Sequence, residues 1–332
     1  MGSIGEAAHR LAGSVAAVGR RPEPERTAAL EKLLVEDVHD PVVQATGARD
    51  DAPLDELGAL ADALGAALPV GAEAGLEPRH RVFVALLRVR ALEPAWTLAH
   101  DNGSGTVRQE VAFSTSSGAV RTSVRLPLVT LVEGERVYAW LPGFRDPRWT
   151  VPDEVYDITG DIEVRAALDQ VRVEGGRMLL AGSAYLTQLQ AGADDSVTVV
   201  LTDAGDRRVQ VPATRLRRPD LVKGTGPDLR QLVWSGWNAQ VELGPVPDGE
   251  WALAVEVGHG EVRRAAPLGT ERGPLAQPGR LPAGPHEIGG RVLRLSGARD
   301  GALTVQLRPL GVRARVVPRP VRAALRGVLG PR

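Results

Sequence analysis

Residues 144–157, FRDPRWTVPDEVYD, set one indole, Trp149, among Arg145, Arg148, Asp153, Glu154 and Asp157. An aromatic ring flanked by charges of both signs is the lining expected of a ligand cleft, here one that stacks a sugar and holds its hydroxyls. Arg145, Arg148, Trp149 and Asp153 are therefore candidate carbohydrate-binding residues. The same composition also suits the glue of a domain junction, and acids beside a proline commonly cap turns rather than transfer protons.

A second aromatic cluster, WSGWNAQVELGPVPDGEWALAVEV at residues 234–257, holds three of the six tryptophans. Side chains alternate faces along a strand, so phase sorts them. Trp251 shares its phase with Leu253, Val255 and Val257, and Trp237 with Ala239, Val241 and Leu243; both are expected in a β core, where a buried indole contributes large apolar area. Trp234 falls outside that register, across Ser235 and Gly236, and is the member of the cluster left as a candidate sugar platform.

No further constellation points to catalysis. The six histidines lack the close spacing of a metal site such as H-E-x-x-H, and no cysteine exists to supply a thiolate or a disulfide. Gly103-Ser104-Gly105 is a lone GxG with no third glycine, and neither a Walker loop nor a G-x-S-x-G elbow occurs. Asp50 and Asp51 do not follow the apolar strand that presents a metal-binding acid pair in nucleotide-sugar enzymes. No catalytic residue, metal ligand or cofactor is expected.

Charge is uneven. Basic residues number 40 and only Lys32 and Lys223 are lysines, so arginine-richness is a whole-chain bias and no specific nucleic-acid partner is expected. From Arg308 onward seven arginines and no acid occur, leaving −8 on the preceding residues. Arg313, Arg315, Arg319, Arg322 and Arg326 are candidates for contact with a membrane surface or polyanion, at roughly 1 kcal/mol per charge near an anionic leaflet. A solvated tail is the alternative. No apolar run is long enough to span a bilayer, and the N-terminus lacks the pattern of a signal peptide. The expected location is the cytoplasm or the inner face of the membrane.

The elements that must carry these residues change character along the chain. Helical stripes fill the first hundred residues: Ile4, Ala7, Ala8, Leu11, Val15 and Val18; then a helix from Glu23 to Asp37; then Leu54, Leu57, Leu60, Ala61 and Leu64 behind Pro53; then PRHRVFVALLRVRAL behind Pro78. From residues 101–106, DNGSGT, strands take over, with turns at Glu133 and Gly134, at Gly175 and Gly176, at Ala204 to Asp206 and at Asp300 and Gly301. A slip of phase before Val171 predicts a bulge. The fold class expected is α plus all-β and multidomain: a helical domain over 1–101, a small β subdomain over 102–150, an immunoglobulin-like sandwich over 151–269, a β-hairpin unit over 281–317 and a basic tail over 318–332.

Two segments carry a family resemblance. VPDEVYDITGDIEVRAALDQVRVEGGRMLLAGSAYL and WNAQVELGPVPDGEWALAVEVGHGEVRRAAPLG resemble the C-terminal accessory region of high-GC bacterial family 2 glycosyltransferases and related glycerophosphotransferases. RHRVFVALLRVRAL and ERVYAWLPGFRDPRW look like that family's helical linker and its junction with the sandwich. In the similar wall teichoic acid glycosyltransferases a GT-A catalytic domain precedes such a linker, and the immunoglobulin-like domains support oligomerisation and contact with an anionic polymer. This chain has no nucleotide-sugar domain and no D-x-D in a strand-ended context. The resemblance therefore implies a non-catalytic partner or fragment of such an enzyme, binding an anionic cell-wall polymer, a glycosyltransferase subunit or further copies of itself. The alternatives are a glycosyl- or glycerophosphoryl-transferase with its site near Trp149 and Asp153, and a structural interaction protein whose tail touches the membrane.

Overall fold

Six consecutive residues, 82–87, are all buried, so the helix that carries them is enclosed on every side and the helical part of the molecule is organised around it. This is α5 (Pro78–Arg88) in a computed structural model that describes residues 4–18, 25–46, 52–69, 71–105, 109–115, 118–124, 129–219, 232–269, 285–297 and 303–310. Helices and antiparallel strands make up two units, residues 1–108 with 128–159 and residues 109–127 with 160–332.

In the first unit, α1 (Ile4–Val18) buries Ile4, Ala7, Leu11 and Val18 and packs on α4 (Leu54–Ala67), whose Leu57, Leu60, Ala61 and Leu64 face inward. Between them lies one continuous helical path. It runs through α2 (Glu25–Leu33), a π-helical turn (Leu34–His39) and α3 (Asp40–Thr46), longer than the single helix expected to Asp37. Pro41 explains the widened turn. Proline has no N–H and its ring collides with the carbonyl four residues back in a regular α-helix. Here the Asp40 N–H already reaches Val35 O, one residue further back than α geometry, so the chain loosens just before the proline. α6 (Leu92–Gly105) takes Pro94 into its first turn, where a missing N–H costs nothing, and continues to Gly105. The end of α4 is closed from α5: Arg88 donates to Leu68 O at 3.3 Å and Pro69 O at 2.6 Å, and sits 3.2 Å from buried Glu73.

The π turn also buries a histidine. The His39 ring meets His80 edge-on with centroids 4.4 Å apart and Phe83 at 5.2 Å, and its Nδ1 lies 3.3 Å from Asp40 Oδ1. His39 and His80, spaced like unrelated singletons in sequence, are thus neighbours. Burial first, and then the adjacent His80, lower the His39 pKa to about 4. Among the described residues no group of three or more metal-ligating side chains occurs.

Strands begin with β1 (Gln109–Thr115) and β2 (Gly118–Val124), a separate antiparallel pair, followed by β3 (Thr130–Glu133) and β4 (Arg136–Ala139), a second pair. After α7 (Asp153–Tyr156) comes one large sheet. Its strands are β5 (Val164–Glu174), β6 (Arg177–Leu186), β7 (Ser196–Asp203), β8 (Arg208–Leu216), β9 (Gly236–Glu242), β10 (Gly249–His259), β11 (Val262–Pro267), β12 (His286–Ile288), β13 (Arg291–Gly297) and β14 (Leu303–Pro309). The order is β12-β13-β14-β10-β7-β8-β9-β6-β5, with β11 on β10. β8 turns the corner: its residues 208–213 pair with β7 and its residues 214–216 with β9. The sheet thereby curls until β10 and β11 approach β5 and β6. One edge of β10 is shared, its residues 249–252 pairing with β14 and its residues 254–259 with β11. β13 and β14 pair around Asp300 and Gly301, which lie outside the described residues, as does the basic tail.

Core and turns follow the expected phase. Trp237 and Trp251 are fully buried, as are Val241, Leu243, Leu253, Val255 and Val257. The Trp251 indole donates to Pro247 O at 3.0 Å; the Trp237 Nε1 has no hydrogen-bond partner among the described residues. Gly175 and Gly176 both have positive φ, 56° and 83°, the requirement of a two-residue turn whose twist matches the strands. The register of β5 on β6 shifts between Leu168 and Gln170, where the slip of phase predicts a bulge. Gly182 sits opposite that bulge: a Cβ there would lie 2.1 Å from Ala167 O. The bulge turns Asp169 onto Arg218, 2.5 Å away, and both side chains are largely buried.

Two predictions come from this packing. Gly182→Ala drives a methyl into backbone that has no room to retreat and is expected to destabilise the protein by about 3 kcal/mol, read as a lowered denaturant midpoint. His39 and His259 should give opposite pH dependences. His39 stays neutral to about pH 4 while an unfolded imidazole protonates near 6.5, so stability falls as pH drops through that window, by on the order of 3 kcal/mol at its foot. His259, raised by its hydrogen bond to Asp195, stabilises below the ordinary imidazole pKa, and that contribution is lost as pH rises through its raised value. Denaturant unfolding of His39→Gln between pH 4 and 7 should show a flatter acid limb than wild type, and an unchanged limb would contradict the assignment.

Candidate functional site

β3 and β4 form a hairpin closed at Gly134, φ 61°, and Glu135, with Val137 and Ala139 fully buried. The opposite phase carries Tyr138 and then Trp140. Residues 141–146 fold back so that the Phe144 ring covers Tyr138, with centroids 5.7 Å apart, and leans on Tyr156 at 5.1 Å and on Trp140 at 5.5 Å. Tyr138 is thereby buried, but Trp140 stays 57% exposed. Beside it is Val129, 72% exposed, whose carbonyl accepts the Trp140 N–H at 2.7 Å.

One arginine clips this loop. Arg145 sits at φ 51°, a conformation that a non-glycine residue adopts only when its surroundings hold it. Its two Nη groups donate to the two Glu133 oxygens at 2.7 and 2.8 Å and its Nε to Asp153 Oδ2 at 2.9 Å. The guanidinium also lies over the Tyr138 and Phe144 rings, at 5.3 and 4.9 Å. The bond to Arg145 holds the Glu133 carboxyl below its usual range. The group is partly solvated, so the clip matters for geometry more than for energy.

The residues that follow anchor the loop to the helices. Tyr156 donates its hydroxyl to Pro142 O at 3.1 Å, and burial pushes its phenol pKa up. Gly143 sits at φ 81°, a left-handed conformation that favours glycine, and a Cβ there would also press on Leu86 Cδ2 at 2.7 Å. From α5, Arg81 donates to Val155 O at 2.9 Å and Asp157 O at 2.7 Å. Asp157 accepts the Thr159 N–H at 2.8 Å, and Thr159 Oγ1 accepts the Val137 N–H at 2.8 Å. The string PDEVYDIT is thus a fastening between the hairpin and α5.

Four of the five proposed sugar-binding residues, Arg145, Arg148, Trp149 and Asp153, belong to this loop region. Arg145 and Asp153 bind each other. Arg148 pairs with Asp146, 2.7 Å away, and rests over Trp149 at 5.9 Å; Trp149 is half-buried, with its Nε1 unpartnered among the described residues. Trp234 lies in the other unit, half-buried, with the Arg217 guanidinium 5.6 Å over its ring. Arg313, Arg315, Arg319, Arg322 and Arg326 lie outside the described residues. The exposed ring that sequence reasoning missed is Trp140. Strand phase puts it on the face of Tyr138, opposite the fully apolar pair Val137 and Ala139, but phase does not say how much of that face is covered.

The fold places the chain in a broad class, helices joined to a large antiparallel sheet. No family model matches it, and no curated protein does. Among solved structures it overlays on a crystal structure of S. aureus TarS 217–571 at 10% identity and a TM-score of 0.47, covering 94% of this chain and 78% of that one. It overlays on S. aureus TarS at 10% identity and a TM-score of 0.44, covering 94% of this chain and 50% of that one. Overlays this loose leave the function to be argued from the residues.

Tyr156→Phe removes one buried hydrogen bond and is expected to cost about 1 kcal/mol in denaturant unfolding. Arg145→Ala should instead leave the midpoint nearly unchanged while amide hydrogen exchange over residues 141–146 accelerates, because the clip orders a surface loop and not the core.

Proposed function

We propose that this chain is a non-catalytic accessory module of cell-envelope polymer glycosylation, one that contacts a glycosylated polymer through the Trp140 face. The observation that carries the reading is that face: a solvent-exposed indole on a loop pre-ordered by Phe144 and the Arg145 clip. Contiguous apolar surface rimmed by polar residues marks interaction sites, and a ring held by its neighbours is pre-organised for contact. The motif residues that resemble the accessory region of family 2 glycosyltransferases support the same reading, since PDEVYDIT is what fastens this loop. Within it, β5 to β11 are read as an immunoglobulin-like sandwich whose corner is β8. The partners proposed are an anionic cell-wall polymer, a transferase subunit or further copies of the chain, at or near the inner face of the membrane.

Light scattering of the wild-type chain, together with an array of glycans and teichoic-acid-type polymers, tests this. Retention of at least one glycosylated probe is expected, with strong loss in Trp140→Ala at an unchanged melting temperature. A strict monomer that retains nothing on the array sinks the proposal.

A further inference from the structure

The charge around Trp140 points to what it takes. Residues 133–157 carry six carboxylates against three arginines, a net −3. Each arginine is already engaged: Arg145 with Glu133 and Asp153, Arg148 with Asp146, and Arg136 with the Tyr138 hydroxyl at 3.4 Å. Among the described residues of this stretch a phosphate therefore meets a net negative sequence in which Arg145 and Arg148 are already held by carboxylates.

We infer that the Trp140 face binds an uncharged pyranose unit, so that a polymer is held by its sugar substituent and not by its phosphate backbone; this rests on the polymer-contact reading above. The indole offers a flat apolar surface continuous with Val129, suited to the C–H face of a sugar ring. Its position is set in advance by Phe144, so little freedom is lost on binding. The same Phe144 ring also carries the Arg145 guanidinium, 4.9 Å from its centroid, and with it the Glu133 and Asp153 carboxylates that Arg145 binds. These carboxylates accept bonds from Arg145 yet keep lone pairs for sugar hydroxyls, and they are only partly covered. Stacking surface and hydroxyl acceptors are therefore linked through one ring, and neither needs a cation.

The test titrates the full chain with three probes: a panel of neutral oligosaccharides, sugar-free poly(glycerol phosphate), and the same polymer bearing sugars. Binding is followed by calorimetry and by tryptophan fluorescence at 50 and 500 mM salt. Neutral sugar and sugar-bearing polymer are expected to bind with little salt dependence. Trp140→Ala should weaken both about tenfold, Trp140→Phe should retain part of the affinity, and circular dichroism should show both variants folded. Binding of the sugar-free polymer as tightly as the sugar-bearing one overturns the inference and leaves the polymer-contact reading standing. Sugar binding that Trp140→Ala does not weaken also overturns it. If no probe binds, the inference falls, and if the chain is also a strict monomer the polymer-contact reading falls with it.

Discussion

A backbone carbonyl that leaves regular structure in a protected place must find a donor, and in this molecule arginine supplies it. Arg88 closes the end of α4 through Leu68 and Pro69. Arg81 holds α7 through Val155 and Asp157. Arg291 reaches into the turn before β10 and donates to Leu243, Gly244 and Val246 at 3.0, 3.3 and 2.5 Å while pairing with Asp248. Arg215 donates to Ala184 O at 2.6 Å, just past the residues of β6 that pair with β9. A guanidinium has five N–H groups in a rigid fork, so one side chain ties two or three carbonyls at once, which an ammonium does less well. A chain with two lysines among 40 basic residues has the residue type to make irregular segments rigid.

The aromatic face depends on the same device. Residues 141–157 contain little regular structure, yet carry Phe144, Trp149 and Tyr156 and position Trp140. Arg145 clips their outer side and Arg81 their inner side. Between the two clips the loop behaves as a rigid mount, and an exposed ring on a rigid mount is what recognition without catalysis needs.

Much of the sheet was legible because strand phase is a local property. Trp237 and Trp251 fell on the buried face, the bulge at Leu168 and Gln170 showed as a slip of phase, and Gly175 with Gly176 marked its turn. The expected helices were also found, but the path through residues 25–46 ran longer because Pro41 is absorbed by a π turn, a competition between proline and helix that periodicity alone does not weigh. His39 and His80 are 41 positions apart and meet only through helix packing, so no spacing rule could pair them. Trp140 was hidden for a related reason. Whether the outward phase of β4 is covered depends on how far the loop folds back, and that is decided by Arg145 reaching Glu133 and Asp153, a choice among distant partners.

The divided edge of β10 has a consequence for association. Unpaired strand edges are templates for pairing with another chain. β11 covers only residues 254–259 of that edge, and β14 completes it over residues 249–252, next to the buried Trp251. The last described strands thus act as a guard on a largely buried strand of the sheet: without them four residues of backbone beside an indole would stand open, an invitation to edge-to-edge aggregation.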